Sequence, residues 1–202
     1  MRPEDITAVI VTRGNTDITP VLESLIFEHV EVWDNSLEPE DQMTYGRTIA
    51  SVMRDTKPVI YSQDDDVIHS PENQRQILEQ YQPGVLTGCM WPEWSQGAKT
   101  QGIPNGYDDL VFMGSGSVYD FDVPLHACAR YLDHFPFDDF FKLWADTIIG
   151  ILAPTHQLNI QFEALPEAED DYRMCNLPDT VELKTEAIRR ARWVRDEAVV
   201  AA

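Results

Sequence analysis

Hydrophobic and polar positions along this chain fall into short blocks whose period switches between the two of a strand and the three to four of a helix. Residues 6–12, Ile-Thr-Ala-Val-Ile-Val-Thr, are a β-branched run that predicts a buried strand, ended by the turn signal Arg13-Gly14-Asn15. Thr19 and Pro20 then read as an N-cap followed by proline at the first helical position, with Val21, Leu22, Leu25 and Ile26 at helical spacing. Residues 30–33 predict a second strand, stopped by Asp34-Asn35-Ser36. Residues 43–54 predict a helix with Ile49, Val52 and Met53 on its apolar side. Residues 57–61 predict a third strand that runs into Gln63, Asp64, Asp65 and Asp66, followed by a helix over 71–81 and a strand over 84–90.

Strand and helix thus alternate from 6 to 90, the pattern of a doubly wound, mostly parallel sheet. Downstream the pattern loosens. Residues 91–109 read as a long loop rich in Gly, Pro and Trp, and residues 110–119 enclose Gly114-Ser115-Gly116-Ser117. Residues 136–153 mix aromatic side chains with Asp138, Asp139 and Asp146, and by position Asp146 reads as the N-cap of a helix that follows it. A late strand is expected over 158–165. Leu183, Ala187, Ala191 and Val194 give a terminal helix over about 180–198. No repeat or linker interrupts the chain, so the expectation is a single α/β domain over 1–202, with its core over 5–165 and a C-terminal helical extension.

Charge narrows the range of partners. Thirty-five acidic residues against 15 basic ones give a net charge of -20, which argues against a broad electrostatic grip on nucleic acid, since counterion release needs clustered Lys and Arg. The longest apolar runs, such as 148–153, are too short for a transmembrane segment. The N-terminus lacks the basic stretch of a secretory signal. Cys89, Cys128 and Cys175 are odd in number and far apart, which fits a reducing, cytoplasmic setting better than a disulfide framework.

In open α/β sheets ligands bind beyond the carboxyl ends of the strands. Three polar clusters fall at such ends: Thr12-Arg13-Gly14, Asp34-Asn35, and Asp64-Asp65-Asp66. Two carboxylates leaving one short turn can share a divalent ion, and Mg²⁺ and Mn²⁺ prefer oxygen ligands held in common with phosphate. Acidic pairs are common here, since Asp108-Asp109, Asp138-Asp139 and Asp170-Asp171 occur too. The triplet differs from them in following a Pro-Val-Ile-Tyr strand.

In chain order these features resemble the GT-A glycosyltransferases, particularly the family 2-like enzymes, over roughly residues 5–165. Residues 8–14 resemble the first strand and its nucleotide-contacting turn, and 31–36 the second strand, in which Asp34 matches the aspartate on the base or ribose. Tyr45-Gly46-Arg47 with Ala50 resembles the Gly-Arg helix, and residues 59–67 the metal strand, with Asp64 and Asp66 as the outer carboxylates. Residues 113–116 are similar to the small-residue segment beside donor sugar and acceptor. Residues 137–146 resemble the segment ending in the catalytic base of inverting members, here Asp146, with Ala145 in place of the usual Glu and Ile148 where an acidic residue is common.

The resemblance implies transfer of a sugar from a UDP- or GDP-linked donor to a hydroxyl of a glycan, protein or modified nucleotide, with inversion. Asp64 and Asp66 would hold Mn²⁺ or Mg²⁺, with Asp65 orienting the donor. Thr12, Arg13 and Asp34 would cradle the nucleoside, and Arg13 and Arg47 would offset diphosphate charge. Gly114 and Ser115 would flank the donor, and Trp91 and Trp94 would stack on the acceptor side. Asp139 is the fallback base and His156 a candidate third ligand. Two other readings stay open. A sugar-phosphate nucleotidyltransferase would carry a Gly-X-Gly-X-Arg loop, where this chain has Thr12-Arg13-Gly14-Asn15. A non-catalytic cation- or carbohydrate-binding module would bind without turnover.

Overall fold

The computed structural model describes residues 1–53, 56–89, 110–165 and 179–200. Ile6–Thr12 (β1) is buried almost throughout, because it lies between two parallel neighbours and both of its faces are covered. Its neighbours are His29–Asp34 (β2) and Val59–Asp64 (β3). Val67–Ile68 (β4) follows a two-residue turn, and Leu86–Cys89 (β5), Ser115–Asp120 (β6), Thr155–Leu158 (β7) and Glu163–Ala164 (β8) complete the strands. The main sheet has six strands in the order β2-β1-β3-β6-β5-β7. It is mixed and mostly parallel, with β6 antiparallel to both β3 and β5. β4 and β8 pair separately. The expected α/β class and mostly parallel sheet are therefore present.

The two faces of the sheet bury alternate residues, as period-two geometry requires. Val9, Ile60 and Tyr119 join Trp33 and the helices Asp122–Leu132, Asp139–Leu152 and Thr180–Val200 in one core. Ile6, Ala8, Tyr61 and Val118 join Phe27, Ile77 and Leu78 in the other. The helices are Thr19–Ser24 (α1), Gly46–Met53 (α2), Pro71–Glu79 (α3), Asp122–Leu132 (α4), Asp139–Leu152 (α5) and Thr180–Val200 (α6). Among the described residues no helix is long and apolar enough to cross a membrane.

Several boundaries differ from those the pattern predicts. Thr19 is the first residue of α1, not its cap; Asp17 Oδ1 accepts from the Thr19 N–H at 3.0 Å instead. Leu25 turns extended and ends α1 early, so Leu25 and Ile26 reach the second core from outside the helix. Residues 43–45 form a separate 3-10 turn before α2, and the late strand over 158–165 is two short strands, β7 and β8. α4 is a helix the pattern did not predict. Asp146 is not an N-cap: it sits in the middle of α5, whose cap is Asp138, accepting from the Phe141 N–H at 2.9 Å. The 91–109 loop, with Trp91 and Trp94, lies outside the described residues, as do Asp108-Asp109, Asp170-Asp171 and Cys175.

Candidate active site

The carboxyl ends of β1, β2 and β3 lie side by side because the register pairs Thr12 with Asp34 and Val11 with Asp64. Thr12 is buried, and its hydroxyl accepts from the Gly14 N–H at 3.0 Å, which closes the turn after β1. Asp34 behaves as a turn residue: its Oδ1 accepts from the Ser36 N–H at 2.9 Å and the Ser36 hydroxyl at 2.6 Å. Its carboxylate also rests against Gly14, where an added Cβ would lie 3.1 Å from both oxygens. Gly14 has φ 75°, a conformation few other residues hold. Arg13 pairs with Asp41 at 3.4 Å, which ties the turn after β1 to the 38–45 segment.

Asn35 organises that segment. It is buried, and its Oδ1 accepts from Trp33 Nε1 at 3.0 Å and the Gln42 N–H at 3.1 Å, while its Nδ2 donates to the Met43 carbonyl at 3.2 Å. Gly46 then lets α2 start flush against the Trp33 indole, with no room for a Cβ. Arg47 is placed by that contact and points inward. It is 1% exposed, with Nη1 donating to Asp146 Oδ2 and Nη2 to Asp64 Oδ1. Coulombic attraction from both carboxylates outweighs the desolvation and holds the guanidinium charged. In this placement both terminal nitrogens of Arg47 serve carboxylates of the protein.

Asp64 ends β3 with its carboxylate 42% exposed. Its N–H donates to the Gly114 carbonyl at 2.8 Å, and its oxygens fill the space a Cβ on Gly114 would take. The approach depends on an irregularity in the β3–β6 ladder. Ser62 pairs with Ser117 but Gln63 with Ser115, leaving Gly116 as an extra residue at φ 89°. Ser115 is buried, and its carbonyl accepts from His69 Nε2 at 2.9 Å. Burial holds the His69 imidazole below its ordinary value, so it stays neutral and donates from Nε2. Asp65 and Asp66 form the turn between β3 and β4, and the Asp66 carbonyl accepts from the Leu165 N–H at 2.7 Å.

Asp146 is buried on α5, and its Oδ1 has no hydrogen-bond partner among the described residues. Burial raises its carboxyl to about 6; Arg47 opposes that rise and the nearby negative charge of Asp64 adds to it. Asp139, the fallback base, lies in the first turn of α5, 82% exposed and 3.5 Å from Lys142 Nζ. His156 is on β7, with β6 and β5 between it and β3, and its Nδ1 meets Gln82 Nε2 at 3.1 Å. Neither joins the Asp64–Arg47–Asp146 group.

Among the described residues no group of three or more His, Cys, Asp or Glu side chains is arranged to hold a metal ion by itself. A cation bound with a diphosphate needs only one or two carboxylates, the rest of its shell coming from phosphate and water. Asp64, Asp65 and Asp66 follow one another at the end of β3, oxygen donors of the type that Mg²⁺ or Mn²⁺ would take, with one Asp64 oxygen held by Arg47. A separate cleft of about 560 Å³, lined by Pro58, Phe121, His126, Arg130 and Pro154, lies at the opposite ends of the strands. Two of its polar groups are engaged in the fold: Asp120 accepts from Tyr81 Oη at 2.5 Å and Gly84 N–H at 2.6 Å, and Arg130 donates to the Leu152 carbonyl at 2.9 Å. The basic residues of α6 are also partly turned inward, with Lys184 4.9 Å from the Phe112 ring and Arg190 4.3 Å from that of Phe140. The chain matches no protein-family model and no curated protein.

Proposed function

We propose that the chain is a metal-dependent glycosyltransferase of the GT-A kind, moving a sugar from a nucleotide-linked donor to an acceptor hydroxyl with inversion. One observation carries the reading. The strand-end aspartate that resembles a metal ligand, Asp64, and the helix aspartate that resembles a catalytic base, Asp146, meet on a single guanidinium. Two sequence motifs with separate roles in one reaction thus share one place at the carboxyl edge of a mixed, mostly parallel sheet.

In this reading Thr12, Arg13 and Asp34 line the nucleoside end, while Asp64 and Asp66, with Asp65 beside them, hold the divalent ion. When bound, Mn²⁺ or Mg²⁺ offsets the negative charge that builds on the leaving diphosphate. Gly114 and Ser115 lie beside the donor sugar in this reading, and a larger side chain at 114 would displace Asp64. Asp146 takes the proton of the acceptor hydroxyl. A carboxyl near 6 is ionised at neutral pH yet more basic than an exposed one, which suits that task.

Two variants divide the roles. Asp66→Ala is expected to lose Mn²⁺-dependent donor binding, and Asp146→Asn to keep it at saturating Mn²⁺ while transfer falls by roughly 10²- to 10⁴-fold. Full donor turnover in Asp66→Ala would exclude the assignment. Pyrophosphate release from a nucleoside triphosphate and a sugar phosphate would mark a nucleotidyltransferase instead.

A further inference from the structure

Arg47 meets both halves of this site, Asp64 and Asp146, and its setting leaves it little freedom. Gly46 is pressed on the Trp33 indole, and the Arg47 carbonyl accepts from Ser51 Oγ at 2.8 Å, so the start of α2 is fixed. Asp64 is fixed by its N–H on the Gly114 carbonyl. Asp146 is fixed by a helix buried at every position from 144 to 152. One positive charge therefore serves two carboxylates, each on a separate terminal nitrogen, and Arg47 Nε has no partner among the described residues. Whatever draws on one carboxylate changes the hold of the fork on the other, and such coupling acts equally in both directions.

We infer that Arg47 is a positioning residue that couples cation affinity at Asp64 to the carboxylate of Asp146, so that occupation of the donor side and readiness of the base rise together. The inference rests on the reading of Asp64 as a cation ligand. While Asp146 holds Nη1, Arg47 is shared and Asp64 keeps part of its charge for a cation. With Asp146 neutralised, the guanidinium falls wholly to Asp64 and competes with the ion. Lysine cannot replace it, because a single ammonium lacks the planar fork that reaches both carboxylates at fixed spacing.

The test is a double-mutant cycle on the full chain with saturating UDP or GDP present, reading Mn²⁺ affinity from the electron paramagnetic resonance signal of free Mn²⁺ at pH 8 against a protein-free nucleotide control. The site counted is the one lost in Asp66→Ala. Asp146→Asn is expected to weaken Mn²⁺ binding about tenfold. In an Arg47→Lys background the same change is expected to have less than about a twofold effect, a difference within the range of measurable site coupling. An equal effect in both backgrounds means that charge acts through space without Arg47 and overturns the inference. No effect of Asp146→Asn in either background also overturns it. Absence of any Asp66-dependent Mn²⁺ site overturns the functional reading itself, and the inference with it. Should Arg47→Lys not fold, Asp146→Glu takes its place. That variant keeps the charge but moves the carboxylate off the fork, so weakened Mn²⁺ binding supports the coupling and wild-type binding overturns it.

Discussion

Asp146→Asn should make this protein more stable above neutral pH, even though it disables the proposed base. The Asp64–Arg47–Asp146 group carries one cation and two carboxylates, so it holds an excess negative charge, with Arg47 and Asp146 buried and Asp64 at the surface. Removing one carboxylate balances it. The magnitude follows from the carboxyl of Asp146, raised by burial to about 6, against an ordinary value of about 3.9 in the unfolded chain. The folded state binds this proton more tightly than the unfolded state. Its stabilising effect is therefore complete below about pH 4 and is lost as pH rises through about 6. At about 1.4 kcal/mol per pH unit, the full loss is roughly 3 kcal/mol. Asparagine has the shape of the protonated acid and no proton to lose, so it avoids that loss. Urea unfolding of both proteins from pH 4 to 8 reads the difference directly. The variant should match wild type near pH 4 and exceed it by roughly 3 kcal/mol at pH 8, or about 6–12 °C in Tm for a chain of this size. A difference that does not vary with pH, or a variant less stable at pH 8, would refute the reasoning.

Three further outcomes follow from the same geometry. Gly114→Ala places a methyl group in the space of the Asp64 carboxylate, so it should cost about 1–3 kcal/mol by overpacking and weaken Mn²⁺ binding measured by titration. Asn35→Ala leaves Trp33 Nε1 and the Gln42 N–H without their acceptor; a loss of about 1–3 kcal/mol in chemical unfolding is expected, with weaker nucleotide binding as the 38–45 segment loosens. Glu186→Gln removes a carboxylate shared by Arg189 and Arg190 on the outer side of α6, and unfolding at moderate salt should register under about 1 kcal/mol, because such pairs are screened by solvent.

The first half of the fold was legible because its signals are local. The run from Ile6 to Thr12 is β-branched at most positions, and Ser70 caps α3 through its own hydroxyl, accepting from the Asn73 N–H at 3.2 Å. The second half was harder for a physical reason. α5 is buried at every position from 144 to 152, so over that stretch it lacks the polar face that marks an amphipathic helix, and Asp146 on it resembled a cap. α4 buries Val123, Ala127, Cys128 and Tyr131 at helical spacing, but Pro124 masks its first turn. Within the site, the strand-end clusters were legible one by one. The link between them was not, because Arg47 and Asp146 stand 99 residues apart and nothing local joins them. His69 and Gly116 were missed for a similar reason: their contact exists only through the extra residue in β6. The one local hint was glycine itself, twice in Gly114-Ser115-Gly116-Ser117.

The most direct test of the glycosyltransferase reading is a thermal-shift screen of UDP-, GDP-, TDP- and CMP-sugars, each with and without Mn²⁺, on wild type and Asp66→Ala. A donor at a hundred times its Kd stabilises the fold by roughly 2.7 kcal/mol. The expected result is an increase of about 5–10 °C for one nucleoside diphosphate sugar, present only with Mn²⁺ and absent in Asp66→Ala. No shift with any of the four donors, or a shift that needs neither Mn²⁺ nor Asp66, would contradict it.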